Sequence, residues 1–275
     1  MKTTIGHAIL NGGRLYYEVA GSGSAVVLIH GFSLDTRMWD AQFETFARKH
    51  TVVRYDVRGF GRSDKPGAHY SNADDLKALL DHLNVERAAA CGLSMGGTIA
   101  TEFTLRYPER VSAFIPVDAA GGSLIKKDDS IGHSRWAEFV VMMGVVRKTA
   151  LKDGVDAARD EWLNCDLFAP ERELPEVKRC LEAIVGDYSG WHWVNPGPYL
   201  PFKPDPSERY GEIRAPSLIV VGERDLPPFH SIARGMAADI PGAKLAVLPG
   251  AGHMVNMDAP ELFNRTVLDF LAGVS

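Results

Sequence analysis

Cysteine is scarce in this chain of 275 residues, and there is no excess of basic charge. The three cysteines, Cys91, Cys165 and Cys180, form no Cys-x-x-Cys pair, which argues against a disulfide framework and against a zinc site. The 30 Lys and Arg residues are outnumbered by 35 Asp and Glu and form no basic stripe, so nucleic-acid binding has no support. No hydrophobic run is long enough to span a bilayer.

Composition and the first residues narrow the class of protein further. Residues 1–8 lack the hydrophobic region of a signal peptide, which predicts a cytoplasmic protein. Hydrophobic residues make up 45% of the chain and charged residues 24%, as in ordinary globular proteins. The length suits either one α/β domain or such a core with an insertion.

Strand and helix patterns alternate along the first 120 residues and again from residue 207. The run Ala-Val-Val-Leu-Ile-His at 25–30 is typical of a central parallel strand buried on both faces. Strands are predicted at 14–19, 25–30, 51–56, 87–91, 111–117, 217–221 and 244–248. Helices are predicted at 39–48, 73–83, 98–106, 230–239 and 260–271. This alternation predicts an α/β fold.

The segment 121–206 interrupts the alternation and has a helical pattern. Helices are predicted at 136–146, 154–162 and 176–185. The five prolines of 195–206 then exclude a helix and favour an extended connector. A helical block between two halves of one sheet predicts a lid over the edge where such sheets bind ligands. The predicted core is therefore 1–120 with 207–275, and the predicted cap is 121–206.

A serine lies at the centre of the pentapeptide Gly-Leu-Ser-Met-Gly at 92–96. It follows a predicted strand and precedes a predicted helix, so the chain must turn sharply around Ser94. Flanking glycines permit that turn, which pushes the hydroxyl out above the sheet and next to a helix N-terminus. This context predicts a nucleophile.

An acid and a histidine follow the serine in the order that such a nucleophile requires. Asp225 and His253 each come after one of the last two predicted strands. An imidazole can take the serine proton and return it to the leaving group, while a carboxylate fixes its tautomer. Asp118, at the end of the strand 111–117, and Glu223 are the alternative acids.

The loop after the strand 25–30 supplies a backbone N–H that could stabilise the negative charge of an oxyanion, in addition to the N–H that follows Ser94. The Phe32 N–H and the Met95 N–H are predicted to form an oxyanion hole. His30 precedes this loop. We expect it to brace the loop through hydrogen bonds, the alternative being a general base.

These motifs together resemble the α/β-hydrolase superfamily over nearly the whole chain, and within it the compact-lidded serine esterases and 3-oxoadipate enol-lactonase-like proteins. The resemblance implies a mostly parallel, eight-stranded sheet flanked by helices, with Ser94 as nucleophile, Asp225 as acid and His253 as base. It implies no cofactor and no metal. The motifs that carry it are His30-Gly31-Phe32, the segment 56–64, Gly92–Gly97, Gly222-Glu223-Arg224-Asp225 and Gly252-His253.

The predicted function is hydrolysis of small-molecule carboxylic esters or lactones in a mainly apolar pocket, with no prediction of oligomeric state. The alternatives are an enol-lactonase, a carbon–carbon bond hydrolase, a cofactor-free perhydrolase and a slow-turnover receptor on the same fold. Leu93 stands where carbon–carbon bond hydrolases usually have Asn, which argues against that alternative. Phe32 and Leu226 are predicted to line the pocket because they adjoin the candidate catalytic residues. The other predicted pocket residues, which could instead pack the lid onto the core, are Trp136, Phe139, Met143 and Trp191.

Overall fold

An eight-stranded sheet runs through the part of the chain that the computed structural model describes, residues 2–10, 12–195 and 197–274. Its strand order is β1-β2-β4-β3-β5-β6-β7-β8. The pairs β1–β2 and β2–β4 are antiparallel and the other neighbours are parallel. The strands are β1 Thr3–Leu10, β2 Gly13–Gly21, β3 Ala25–Ile29, β4 Thr51–Tyr55, β5 Ala88–Leu93, β6 Val111–Val117, β7 Leu218–Gly222 and β8 Lys244–Leu248.

Helices cover the sheet, and further helices occupy the chain between β6 and β7, which we call the helical insertion. None of those in the described residues is long and apolar enough to cross a membrane. The helices are α1 Asp40–Phe46, α2 Asn72–His82, α3 Met95–Arg106, α4 Ser130–Lys152, α5 Val155–Leu163, α6 Pro175–Asp187, α7 Trp191–Val194, α8 Pro227–Asp239, α9 Val255–Asp258 and α10 Pro260–Ala272. The predicted α/β hydrolase fold is confirmed.

Several elements begin earlier than their hydrophobic patterns predict, for local reasons. Helix α3 begins at residue 95 rather than 98, because the Ser94 carbonyl already accepts the N–H groups of Gly97 and Thr98. Helix α4 begins at 130 rather than 136, where the Asp129 side chain accepts the Gly132 N–H as an N-cap. Strand β1 had no prediction of its own, since most of its side chains are exposed.

The proline-rich connector has no helix from residue 197 to residue 205, as predicted, and a 3-10 turn begins at Pro206; Pro196 lies outside the described residues. Tyr199 forms an isolated parallel bridge with Tyr70, and the Tyr70 N–H donates to the Pro198 carbonyl. The Leu200 N–H in turn donates to the Tyr70 carbonyl. These bonds attach the end of the helical insertion to the loop that precedes α2.

The parallel strands place four polar residues at one edge of the sheet. Ser94 follows β5, Asp118 follows β6, Asp225 lies shortly after β7 and His253 shortly after β8. Because parallel strands end at the same edge, side chains far apart in the sequence come together there.

Candidate active site

The turn around Ser94 has a geometry that only glycine neighbours allow. Ser94 has φ 55° and ψ −116°, in a region that L-residues rarely adopt. A Cβ on Gly92 would lie 2.1 Å from the Gly96 carbonyl oxygen, and one on Gly96 would lie 2.1 Å from the Ile29 carbonyl oxygen. The two glycines of the motif are therefore needed for the close approach of β5, α3 and β3.

His253 and Asp225 form a buried hydrogen-bonded pair. The distance from His253 Nδ1 to Asp225 Oδ2 is 2.8 Å, and the other Asp225 oxygen accepts the Leu226 N–H at 2.7 Å. Burial lowers the pKa of His253, although the acidic side chains of Asp118 and Glu171 oppose that shift. A neutral imidazole with Nδ1–H directed at Asp225 leaves Nε2 free to accept a proton.

Ser94 and His253 line the same cavity, of about 150 Å³. His253 Nε2 is buried and accepts no hydrogen bond from the described residues. The structure thus brings the predicted nucleophile and the predicted base to one cavity without a hydrogen bond between them, a bond that often tightens only when substrate binds.

Asp118, the alternative acid, lies beside the pair but does not take the place of Asp225. Its Oδ1 accepts the Gly222 N–H at 2.8 Å, and no hydrogen bond joins it to His253. Burial and the adjacent Asp225 carboxylate raise the pKa of Asp118 well above its usual range. In its protonated form Asp118 can therefore donate a hydrogen bond to Asp225 and stabilise the negative charge of that carboxylate. Glu223 is directed elsewhere, because its carboxylate accepts the Gly250 N–H.

The same three side chains are the group of described residues that could hold a metal ion. One ligand atom each from Asp118, Asp225 and His253 lies within 4.8 Å of the others. His253 Nδ1 and both Asp225 oxygens are already engaged in the hydrogen bonds given above. A metal at this position would have to displace those bonds.

The two predicted oxyanion donors flank this cavity. Phe32 and Met95 both line it, and Met95 is the first residue of α3, so its N–H has no intrahelical acceptor. His30 is fully buried; its Nδ1 lies 2.8 Å from the Gly31 carbonyl oxygen and its Nε2 accepts the Val57 N–H at 2.8 Å. The prediction that His30 braces the loop is confirmed.

A second cavity, of about 280 Å³, adjoins the first. The two cavities share Phe32, Met95 and Ala120 as lining residues. Asn72, at the start of α2, lines the second cavity, and its Oδ1 is buried without a hydrogen-bond partner in the described residues. The combined space is mostly apolar and holds one unsatisfied amide.

The structure places four of the six predicted pocket residues at these cavities. Phe32 lines both, Phe139 and Met143 line the first, and Trp136 lines the second. The other two expectations need correction. Trp191 lines neither cavity, because its ring lies edge-on against His192. Leu226 also lines neither cavity; its N–H donates to the Asp225 carboxylate, and it is the N-cap of α8.

Aromatic residues of the helical insertion that were not among the predicted pocket residues surround Phe32. Its ring contacts Phe60 of the core and four rings of the insertion at centroid distances of 5.8–6.3 Å. The Trp162 indole also donates to Ser33 Oγ at 2.7 Å. The four rings are Trp162, Tyr188, His192 and Trp193.

Solved structures and curated proteins resemble the chain over nearly its whole length. A thermophilic esterase from Thermogutta terrifontis is 27% identical with a TM-score of 0.78, covering 100% of this chain and 99% of that one. The enol-lactonase from Burkholderia xenovorans LB400 is 25% identical with a TM-score of 0.78, covering 97% and 100%. A 2-hydroxy-6-oxo-6-phenylhexa-2,4-dienoate hydrolase of Burkholderia cepacia is 27% identical, covering 98% and 95%.

The chain also matches a whole protein family over most of its length. Residues 26–266 match the family described as the alpha/beta hydrolase family, a span that includes Ser94, Asp225 and His253. The predicted resemblance to enol-lactonase-like proteins is also confirmed. This chain belongs to the alpha/beta hydrolase family.

Proposed function

We propose that this hydrolase cleaves carboxylic esters or lactones through an acyl-enzyme on Ser94. The observation that carries the proposal is the His253 imidazole, which is bound to Asp225 at Nδ1 and has an unoccupied Nε2 at the cavity of Ser94. We further propose the domain division of a core, 1–120 and 207–275, and a cap, 121–206.

The proposed reaction consists of two half-reactions, acylation and deacylation of Ser94, which use the same catalytic groups. His253 Nε2 takes the proton of the Ser94 hydroxyl as its oxygen attacks the substrate carbonyl carbon, and the oxyanion lies between the N–H groups of Phe32 and Met95. His253 then protonates the leaving alkoxide. In the second half it takes a proton from water, which attacks the acyl-enzyme and frees the acid.

The low pKa of His253 suits this role. An imidazole that burial keeps neutral at pH 7 can accept a proton, and the nearby carboxylates stabilise the imidazolium that forms. Leu93 supports ester or lactone cleavage over cleavage of a carbon–carbon bond, because carbon–carbon bond hydrolases usually have Asn at this position. The likeness to an enol-lactonase supports a lactone as the second candidate substrate.

Turnover on a panel of p-nitrophenyl esters and lactones tests the proposal. We expect multiple turnovers, and we expect a fluorophosphonate to label the protein stoichiometrically at Ser94. Labelling with no more than one turnover would favour a receptor on this fold. Turnover no faster than that of a Ser94→Ala variant would contradict the proposal.

Asn72 should give the second cavity a preference for substrates that carry a hydrogen-bond donor. We propose that this cavity holds the alcohol part of the substrate and that the buried Oδ1 of Asn72 accepts a hydroxyl or amide N–H from it. An Asn72→Leu variant should lower kcat/KM about tenfold for an ester whose alcohol carries such a donor, because a hydrogen bond of this kind contributes roughly 1 kcal/mol or somewhat more.

The matched alkyl ester serves as the internal control for Asn72, since it has no donor to lose. Asn164→Leu, at an exposed residue of the insertion, should leave kcat/KM unchanged for both esters. An equal effect of Asn72→Leu on both esters would contradict the assignment.

A further inference from the structure

Glu171 reaches from the helical insertion to the loop that carries His253. It lies in a short turn, Glu171–Glu173, and is fully buried. Its Oε1 accepts the Met254 N–H at 2.8 Å, one residue after His253. A Cβ on Gly252 would lie 2.6 Å from the same oxygen, so the loop approaches the Glu171 carboxyl as closely as glycine allows.

Asp258 holds the same loop from the other side. Its Oδ2 accepts the Gly252 N–H at 2.7 Å, one residue before His253. The remaining oxygens, Glu171 Oε2 and Asp258 Oδ1, are both buried and have no hydrogen-bond partner in the described residues. Glu171 is close enough to act on the pKa of Asp258, and a hydrogen bond between these two carboxyl groups would require a proton on one of them.

We propose that Glu171 and Asp258 are positioning residues, a carboxyl pair that shares one proton and fixes the His253 loop against the helical insertion. Asp258 donates the proton from Oδ1 to Glu171 Oε2. The backbone on each side of His253 is thereby attached to one member of the pair. This role of the carboxyl pair rests on the proposed function only in assigning a catalytic task to His253.

The charges around the carboxyl pair oppose its ionisation. Burial, then the charge of Glu171 and more weakly that of Asp118, raise the pKa of Asp258 to about 8. Asp225 also lies within the electrostatic range of both carboxyls, and His253 within that of Glu171. The nearby cations are engaged elsewhere. Arg172 donates to the Leu163 and Cys165 carbonyls, and Arg224 binds Glu173.

Loss of the shared proton leaves two adjacent buried carboxylates, which repel each other. We therefore expect the carboxyl pair to hold the loop below about pH 8 and to release it above that pH. The wild-type kcat/KM should fall about tenfold between pH 7 and pH 9, as expected for the loss of the protonated form of one acid of this pKa.

Asp258→Asn separates this role from a merely structural one. The asparagine side chain can accept the Gly252 N–H and permanently donate N–H to Glu171, so the alkaline loss of kcat/KM should shrink to less than about twofold over the same pH range. Glu171→Gln, which donates to an ionised Asp258, should have the same effect. Glu173→Gln is the matched control, because Glu173 is exposed, pairs with Arg224 and should leave the wild-type pH profile intact.

Hydrogen exchange of the wild-type protein tests the proposal without any variant and without catalysis. The Gly252 and Met254 amides should lose about tenfold in protection between pH 7 and pH 9, after correction for the intrinsic effect of pH on exchange. Constant protection of these amides, or an unchanged alkaline limb in both Asp258→Asn and Glu171→Gln, would overturn the proposal. If the protein proves to have no esterase or lactonase activity, the loss of protection still establishes the carboxyl pair.

Discussion

Replacing Ser94 with alanine should lower kcat for a p-nitrophenyl ester by roughly a millionfold, as when the nucleophile of a serine protease is removed. The acyl-enzyme cannot form without the hydroxyl, and His253 then has no proton to take. The oxyanion donors and the cavity remain, so a small residual rate over that in water is expected. Stopped and continuous assays of the purified variant would measure the loss.

The fold should tolerate this substitution, because Ser94 contributes backbone rather than side-chain hydrogen bonds to the turn. Thermal unfolding of Ser94→Ala should therefore match that of wild type within a few degrees. Ser189→Ala is the matched control; this serine is exposed and lies away from both cavities. Retention of more than about one hundredth of wild-type kcat by Ser94→Ala would contradict the role of Ser94 as the nucleophile.

Asp225→Asn should have the second-largest effect, a loss of roughly ten thousandfold in kcat. The asparagine amide can donate to Nδ1 of His253 and so favour the tautomer that carries its proton on Nε2, which can no longer accept the serine proton. The rate should be compared with that of the wild type at a pH near neutrality, where the wild-type imidazole is neutral.

Asp118→Asn provides the comparison that distinguishes the two acids. The amide introduced by this substitution can still accept the Gly222 N–H and donate to Asp225, so we expect less than about a tenfold loss. A larger loss from Asp118→Asn than from Asp225→Asn would transfer the role of the acid to Asp118.

The sequence predicted those parts of the molecule that short local patterns determine. The β-branched run of β3 and the glycines around Ser94 each require one kind of backbone, and both appear where the pattern indicates. The four polar residues at strand ends were found for the same reason, since their positions follow from the order of the strands. The family match confirms the fold that these patterns predicted.

Contacts between distant segments were beyond the reach of these patterns. Glu171 carries no motif, and only the folded chain brings it against Met254, 83 positions away. The sequence placed the Asp118 carboxyl at the correct edge of the sheet. It could not show whether Asp118 lies beside Asp225 or replaces it as the acid. Trp191 was expected in the pocket as part of an aromatic cluster, and Leu226 because it adjoins Asp225. Neither local pattern shows that the Trp191 ring contacts His192 or that the Leu226 N–H binds the Asp225 carboxylate.

The ring contacts of Phe32 bear on how molecules reach and leave Ser94. Lifting the helical insertion away from the core would separate Phe32 from Trp162, Tyr188, His192 and Trp193, and would remove the support of one proposed oxyanion donor. We therefore expect passage by side-chain rotation at the cavity walls while the helical insertion stays packed on the core. Such gating would admit narrow, flexible molecules more readily than broad, rigid ones.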